Sequence, residues 1–87
     1  MIPFSDLMAT CNGQLHVRRQ LDSLAGQSQL PAELVVSDDA SEDDTIAIID
    51  AFAKTSPFPV IIYRNEIRLG FRENLMRAAS LCKSELI

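Results

Sequence analysis

Hydrophobic positions along this chain alternate between continuous apolar runs and helical spacing. Leu7-Met8-Ala9-Thr10 is a short apolar run that stops at the turn dipeptide Asn12-Gly13. From Gln14 to about Gly26, Val17, Leu21 and Leu24 recur at i, i+4 and i+7, one face of a helix. Arg18, Arg19 and Asp22 fall on the other side. Leu34-Val35-Val36-Ser37 is a β-branched run bounded by acids and reads as a buried strand. Ser41 offers a cap for the next helix, with Asp44 three residues on completing a box-like pair. The acids at 42, 43 and 44 suit the positive end of that helix. Its stripe is Ile48, Ile49, Phe52 and Ala53, and it ends near Thr55 because Pro57 and Pro59 cannot continue it. Val60-Ile61-Ile62-Tyr63 is a third strand. Gly70 opens a third helix with Phe71, Leu75, Ala78, Ala79 and Cys82 as its stripe, closed by Lys83-Ser84. Glu85-Leu86-Ile87 starts a fourth strand.

Strand–helix alternation with short connections predicts an α/β fold in the order β-α-β-α-β-α-β. Three to four strands form a parallel, Rossmann-like sheet with three helices and right-handed crossovers. Apolar strands fit a sheet covered on both faces. The 87 residues make one small domain with modest stability.

Composition narrows the function classes. Hydrophobic residues are 47% and charged residues 23%, ordinary for a globular domain, and no uncharged apolar run is long enough to cross a membrane. The opening MIPFSDLMAT lacks a basic segment and carries Asp6 in its apolar stretch, so it does not read as a signal peptide. A net charge of −4 argues against nucleic acid and against an anionic membrane as partners. Two cysteines, Cys11 and Cys82, read as reduced thiols in the cytoplasm. Five of the twelve acids lie between Asp38 and Asp44.

In an open α/β sheet, ligands bind outside the carboxyl ends of the strands. Those ends carry Ala9-Thr10-Cys11-Asn12-Gly13, Asp38-Asp39-Ala40-Ser41 and the stretch from Asn65 to Arg72. The Asp38-Asp39 pair is either turn-solvating or a ligand site. A calcium loop starting at Asp39 places Asp44 where glycine is required and Asp50 where glutamate is required, so that reading fails. A phosphoacceptor receiver needs an Asp after a later strand, and the third strand ends in Tyr63-Arg64-Asn65.

Several segments together resemble the amino-terminal half of a family 2 glycosyltransferase of the GT-A fold. Met8 to Gly13 is similar to that family's first-strand exit. Gln20-Leu21-Asp22-Ser23-Leu24 with Gln27-Ser28 is similar to its first helix. Val35 to Thr45 resembles its Asp-Asp-Gly-Ser-x-Asp-x-Thr signature, and Asn65 with Leu69-Gly70-Phe71 and Asn74 its Asn-Leu-Gly-Phe stretch. The match covers nearly the whole chain in the right order.

The resemblance implies inverting transfer of a sugar from a nucleotide donor, often a UDP-sugar, to a glycan or lipid-linked acceptor. By position, Ala9, Thr10 and Asn12 would line the base and ribose. Asp39 would bind uracil with Asp38 in support, and Arg68 and Arg72 are weaker candidates for a phosphate. Uracil N3 carries a hydrogen that a carboxylate accepts, whereas cytosine N3 presents a lone pair that a carboxylate repels. Such a charge-assisted bond is worth roughly 1.5–3 kcal/mol, more than tenfold in affinity.

The sequence also departs from the family pattern. Cys11 replaces the usual Tyr. Ala40 replaces Gly, so the turn there is expected not to need positive φ. Asp6 falls in a normally apolar strand and is expected at an edge or beside an arginine. The family's Asp-x-Asp, which binds Mn²⁺ or Mg²⁺, has no counterpart anywhere in the sequence, and its general base lies further downstream. The expectation is therefore an incomplete domain, residues 1–87, inactive alone. It would be cytoplasmic or peripheral to the inner membrane face, with self-association through an exposed sheet edge. The competing reading is a small Rossmann-like regulatory or interaction domain without catalysis.

Overall fold

Leu34, Val35 and Val36 point apolar side chains to both sides of one strand, which is stable only with cover on both faces. The computed structural model, which describes residues 4–82 and 85–86, buries all six residues of that strand. The elements are β1 (Phe4–Thr10), α1 (Val17–Ala25), β2 (Glu33–Asp38), α2 (Thr45–Ala53), β3 (Val60–Arg64), α3 (Phe71–Leu81) and β4 (Glu85–Leu86). The strands are parallel in the order β3-β2-β1-β4. Lys83, Ser84 and Ile87 lie outside the described residues.

Alternation along β2 sends Leu34 and Val36 to one face, where α1 and α2 pack together. Val17 and Leu21 from α1, Ile49 and Phe52 from α2, and Phe58 complete that core. Burying each side chain of this size is worth about 1.5–3 kcal/mol. The other face, with Ser37, is covered by α3. The α1 and α2 stripes thus follow the predicted spacing.

Several boundaries and packing roles differ from expectation. β1 reaches back to Phe4, and α1 starts at Val17 after a turn in which the N–H groups of His16 and Val17 both donate to Gly13 O at 2.9 Å. Ser41 does not cap α2. The helix starts at Thr45, whose N–H donates to Asp43 Oδ1 at 3.0 Å. Ser41 is drawn away because Asp38 holds both its N–H and its hydroxyl. Phe71 is 76% exposed rather than packed, because α3 turns Asn74 and Ala78 inward. Asp6 is half-buried beside the stretch of β1 that runs past the Phe4 and Ser5 pairing with β4, and its Oδ1 accepts the Leu7 N–H at 2.9 Å.

Strands are added in one direction from β1 to β3, and β4 then returns to the opposite flank of β1. Strand order therefore reverses at β1. The carboxyl end of β1 is a topological switch point, where open α/β sheets hold their ligands.

Candidate functional site at the carboxyl ends of the strands

Register places Thr10 opposite Asp38 and Asp38 opposite Arg64, so the three strand ends are level. Asp38 is fully buried and acts as a knot between loops. Its Oδ1 accepts the Thr10 and Ser41 hydroxyls, each at 2.6 Å, and its Oδ2 accepts the Ser41 N–H at 2.9 Å. Ser41 Oγ in turn accepts the Asn12 N–H at 2.9 Å, and Asn12 Oδ1 accepts the Glu42 N–H at 2.8 Å. The Thr10 side chain is thereby committed to Asp38. Asn12 remains exposed at the rim, with φ 50°.

This knot also explains the turn at Ala40. For the Asp38 carboxylate to reach Ser41 N three residues on, the chain must fold back sharply, and Ala40 adopts φ 54°. The expectation that alanine would spare the turn a positive φ is therefore wrong. A left-handed alanine costs about 1–2 kcal/mol. Ala40→Gly is expected to raise stability by roughly 1 kcal/mol. Urea unfolding checks it, and a loss of stability would contradict the geometry.

Asp39 is 2% exposed and grips the β3–α3 connection. Its Oδ1 accepts Asn65 Nδ2 at 3.0 Å and the Leu69 N–H at 2.7 Å, while Oδ2 accepts the Gly70 N–H at 2.9 Å. Gly70, at φ 94°, supplies the left-handed conformation that turns this N–H into place. Burial pushes the Asp39 carboxyl up, but the Leu69 N–H, the Asn65 amide, the Gly70 N–H and the Arg68 charge outweigh it. The carboxyl ends below the ordinary value of 3.8. Asp43 is also lowered, first by the Thr45 hydroxyl, against a smaller burial effect.

Both carboxyls bind protons more weakly in the folded than in the unfolded chain, so they stabilise the fold above pH 3.8. That stabilisation is lost as pH falls through their lower folded values. Thermal melts from pH 6 downward are expected to show a midpoint that drops below pH 3.8. A flat midpoint through that range would contradict it.

Asn65 and Asn74, not singled out as site residues by the sequence pattern, tie these pieces together. Asn74 is 2% exposed. It donates to Ser37 O at 2.8 Å and Thr10 O at 3.3 Å, and accepts from Ser37 Oγ at 2.7 Å and Asn65 Nδ2 at 2.9 Å. Asn65 gives both amide hydrogens away, to Asp39 and Asn74, and its buried Oδ1 has no partner among the described residues. A buried acceptor left without a donor costs about 1–3 kcal/mol. The available signal was phase: Asn74 lies four residues before the apolar Ala78, a polar side chain on the inward line of α3.

Other candidates sit apart. Ala9 is half-buried and lines a cavity of about 540 Å³ beside β1, with Met8, Arg19, Phe71 and Leu75 among its other walls. Arg68 is exposed, 3.5 Å from Glu42 and 3.4 Å from Ala40 O. Arg72 is exposed on the first turn of α3 and takes no ion pair among the described residues. No three His, Cys, Asp or Glu side chains among the described residues converge to hold a metal. The residues present thus do not fit the divalent ion that the resemblance implies.

A parallel sheet that reverses order at β1, with helices on both faces and buried carboxylates at its strand ends, defines a Rossmann-like α/β class of protein. The comparisons make the class specific: the chain belongs to glycosyl transferase family 2, whose family model matches residues 5–87. It is 32% identical over 78 residues to the abequosyltransferase RfbV of Salmonella typhimurium, covering 87% of this chain and 23% of that protein. Its fold superposes on TarS residues 1–349 of S. aureus in complex with UDP-GlcNAc, with TM-score 0.83 and 25% identity, over 95% of this chain and 24% of that one. A mannosyltransferase of Pyrobaculum calidifontis in complex with GDP-Man and Mn²⁺ shares the fold at TM-score 0.83 and 24% identity, over 94% of this chain and 25% of its own. The fold is therefore the GT-A type. This chain spans about a quarter of the length of these relatives.

Proposed function

We propose that residues 1–87 form the amino-terminal, nucleotide-holding part of an inverting glycosyltransferase that takes a UDP-sugar donor and a glycan or lipid-linked acceptor. One observation carries this reading. Asp39 is a buried carboxylate at the switch point whose acceptor positions are nearly, but not entirely, filled. A carboxylate offers about four lone-pair positions. Two on Oδ1 and one on Oδ2 are taken, which leaves one on Oδ2 for the N3–H of uracil. Asp38 acts indirectly, holding Thr10, Ser41 and, through Ser41, Asn12 in place around it.

The exposed Asn12 would border the base and ribose, with Arg68 and Arg72 on the side of the diphosphate; Ala9, which lines the separate cavity beside β1, would not face the base. A divalent metal and the general base of the complete enzyme would come from residues other than these. The enzyme would act in the cytoplasm or at the inner membrane face. The flank of β1 beyond Ser5 is where the sheet would take up a further strand or a second copy.

Isothermal titration with UDP and CDP tests the donor. UDP is expected to bind at least about tenfold tighter, the worth of one charge-assisted hydrogen bond. Equal affinities, or a preference for CDP, would contradict a uracil-reading Asp39.

A further inference from the structure

We infer that Asn65 is a positioning residue for nucleotide recognition, aiming the open acceptor position of Asp39 at the base; this rests on the proposed nucleotide site. The geometry carries it. Asn65 and Leu69 N–H together occupy Oδ1 of Asp39, so the carboxylate cannot rotate to offer that oxygen to a ligand. Gly70 N–H fixes Oδ2 from one side and leaves its other side open. The same Asn65 amide group reaches Asn74 Oδ1 at 2.9 Å, and Asn74 in turn holds the backbone of Thr10 and Ser37, the last turns of β1 and β2. The orientation of Asp39 is thus referenced to two strand ends rather than to the loop alone.

The unsatisfied Oδ1 of Asn65 supports the assignment. Reversing the amide would give that oxygen's place to the NH₂ group but would face Asp39 Oδ1 and Asn74 Oδ1 with a third oxygen. The side chain is held in the one orientation that serves both neighbours, at the expense of its own acceptor. Buried polar groups are rarely left so. An apolar or acceptor-only side chain at 65 would leave Oδ1 held by the Leu69 N–H alone and open a second acceptor position beside it.

The test compares wild type, Asn65→Ala and Asn65→Asp in the 87-residue chain by titration with UDP and CDP, with affinities corrected for the folded fraction. Asn65→Ala is expected to weaken UDP about tenfold and to narrow the UDP-to-CDP ratio, since Asp39 loses the donor that ties its orientation to the strand ends, the worth of about one charge-assisted contact. Asn65→Asp places a second carboxylate against Asp39. Its UDP affinity is expected to be low at pH 8 and to recover toward pH 5, as one proton shared between the two acids restores a donor. A scaffold role alone would leave the base preference and this pH profile untouched. Unchanged selectivity in Asn65→Ala, or a flat profile in Asn65→Asp, would overturn the inference.

Should neither variant fold, the wild-type Asn65 side-chain amide resonances decide. They are expected to move on UDP saturation, and immobility beside a shifting Asp39 amide would overturn the role. A wild-type spectrum with no UDP response anywhere would overturn the proposed function itself, and the positioning role with it.

Discussion

Asp39→Asn is expected to lose the UDP preference and part of the fold's stability together. The substituted amide keeps one acceptor, but its NH₂ group must face the N–H of Leu69 or of Gly70, which now bond to the carboxylate at 2.7 and 2.9 Å. A buried donor left facing a donor costs about 1–3 kcal/mol. Urea unfolding is expected to register a loss of that size. Titration of the folded fraction is expected to bring UDP within a fewfold of CDP, against at least about tenfold in the wild type. Unchanged stability would mean that Asp39 does not hold the β3–α3 connection. Unchanged preference would remove Asp39 from base recognition.

Asn74→Ala is expected to be the most destabilising single change at the site, at about 3 kcal/mol. The side chain is 2% exposed and engaged in four hydrogen bonds, two of them to the backbone of Ser37 and Thr10 on neighbouring strands. Truncation leaves the Ser37 hydroxyl and one Asn65 hydrogen without these partners, takes one donor from each of the two carbonyls (Thr10 O keeps the Asp39 N–H), and opens a small cavity. A domain of this length is stable by roughly 4–13 kcal/mol in all. Losing about 3 kcal/mol is therefore expected to shift the urea midpoint conspicuously. A loss under about 1 kcal/mol would show that the network holds nothing the packing does not already hold.

Much of the architecture was legible because burial and period agree. Val17, Leu21 and Leu24 on α1, and Ile49 and Phe52 on α2, are apolar residues at helical spacing facing a strand that is apolar throughout. The acid pair at 38–39 was legible too, as charge where an apolar strand ends. The division of labour within the pair was not, because it depends on which neighbour each carboxylate meets across 26 to 31 residues of chain.

Ser41 has the local chemistry of a helix cap, yet the buried Asp38 competes for it and wins. Ala40 has no intrinsic reason to enter the left-handed region, and the same Asp38 bond forces it there. Phe71 follows the apolar spacing of α3 but stands on the helix's first turn at the open rim of the cavity beside β1, 76% exposed. At Ser41 and Ala40 local propensity yielded to the buried Asp38 carboxylate at the end of β2.

The most direct test of the central claim is a ¹⁵N-HSQC titration of the 87-residue chain with UDP, repeated with CDP. Shifts are expected at Thr10, Asn12, Asp39, Leu69, Gly70 and the Asn65 side-chain amide, saturating at lower UDP than CDP concentration. A well-dispersed spectrum that stays still with UDP, or that shifts only away from the strand ends, would contradict a uridine site in this chain.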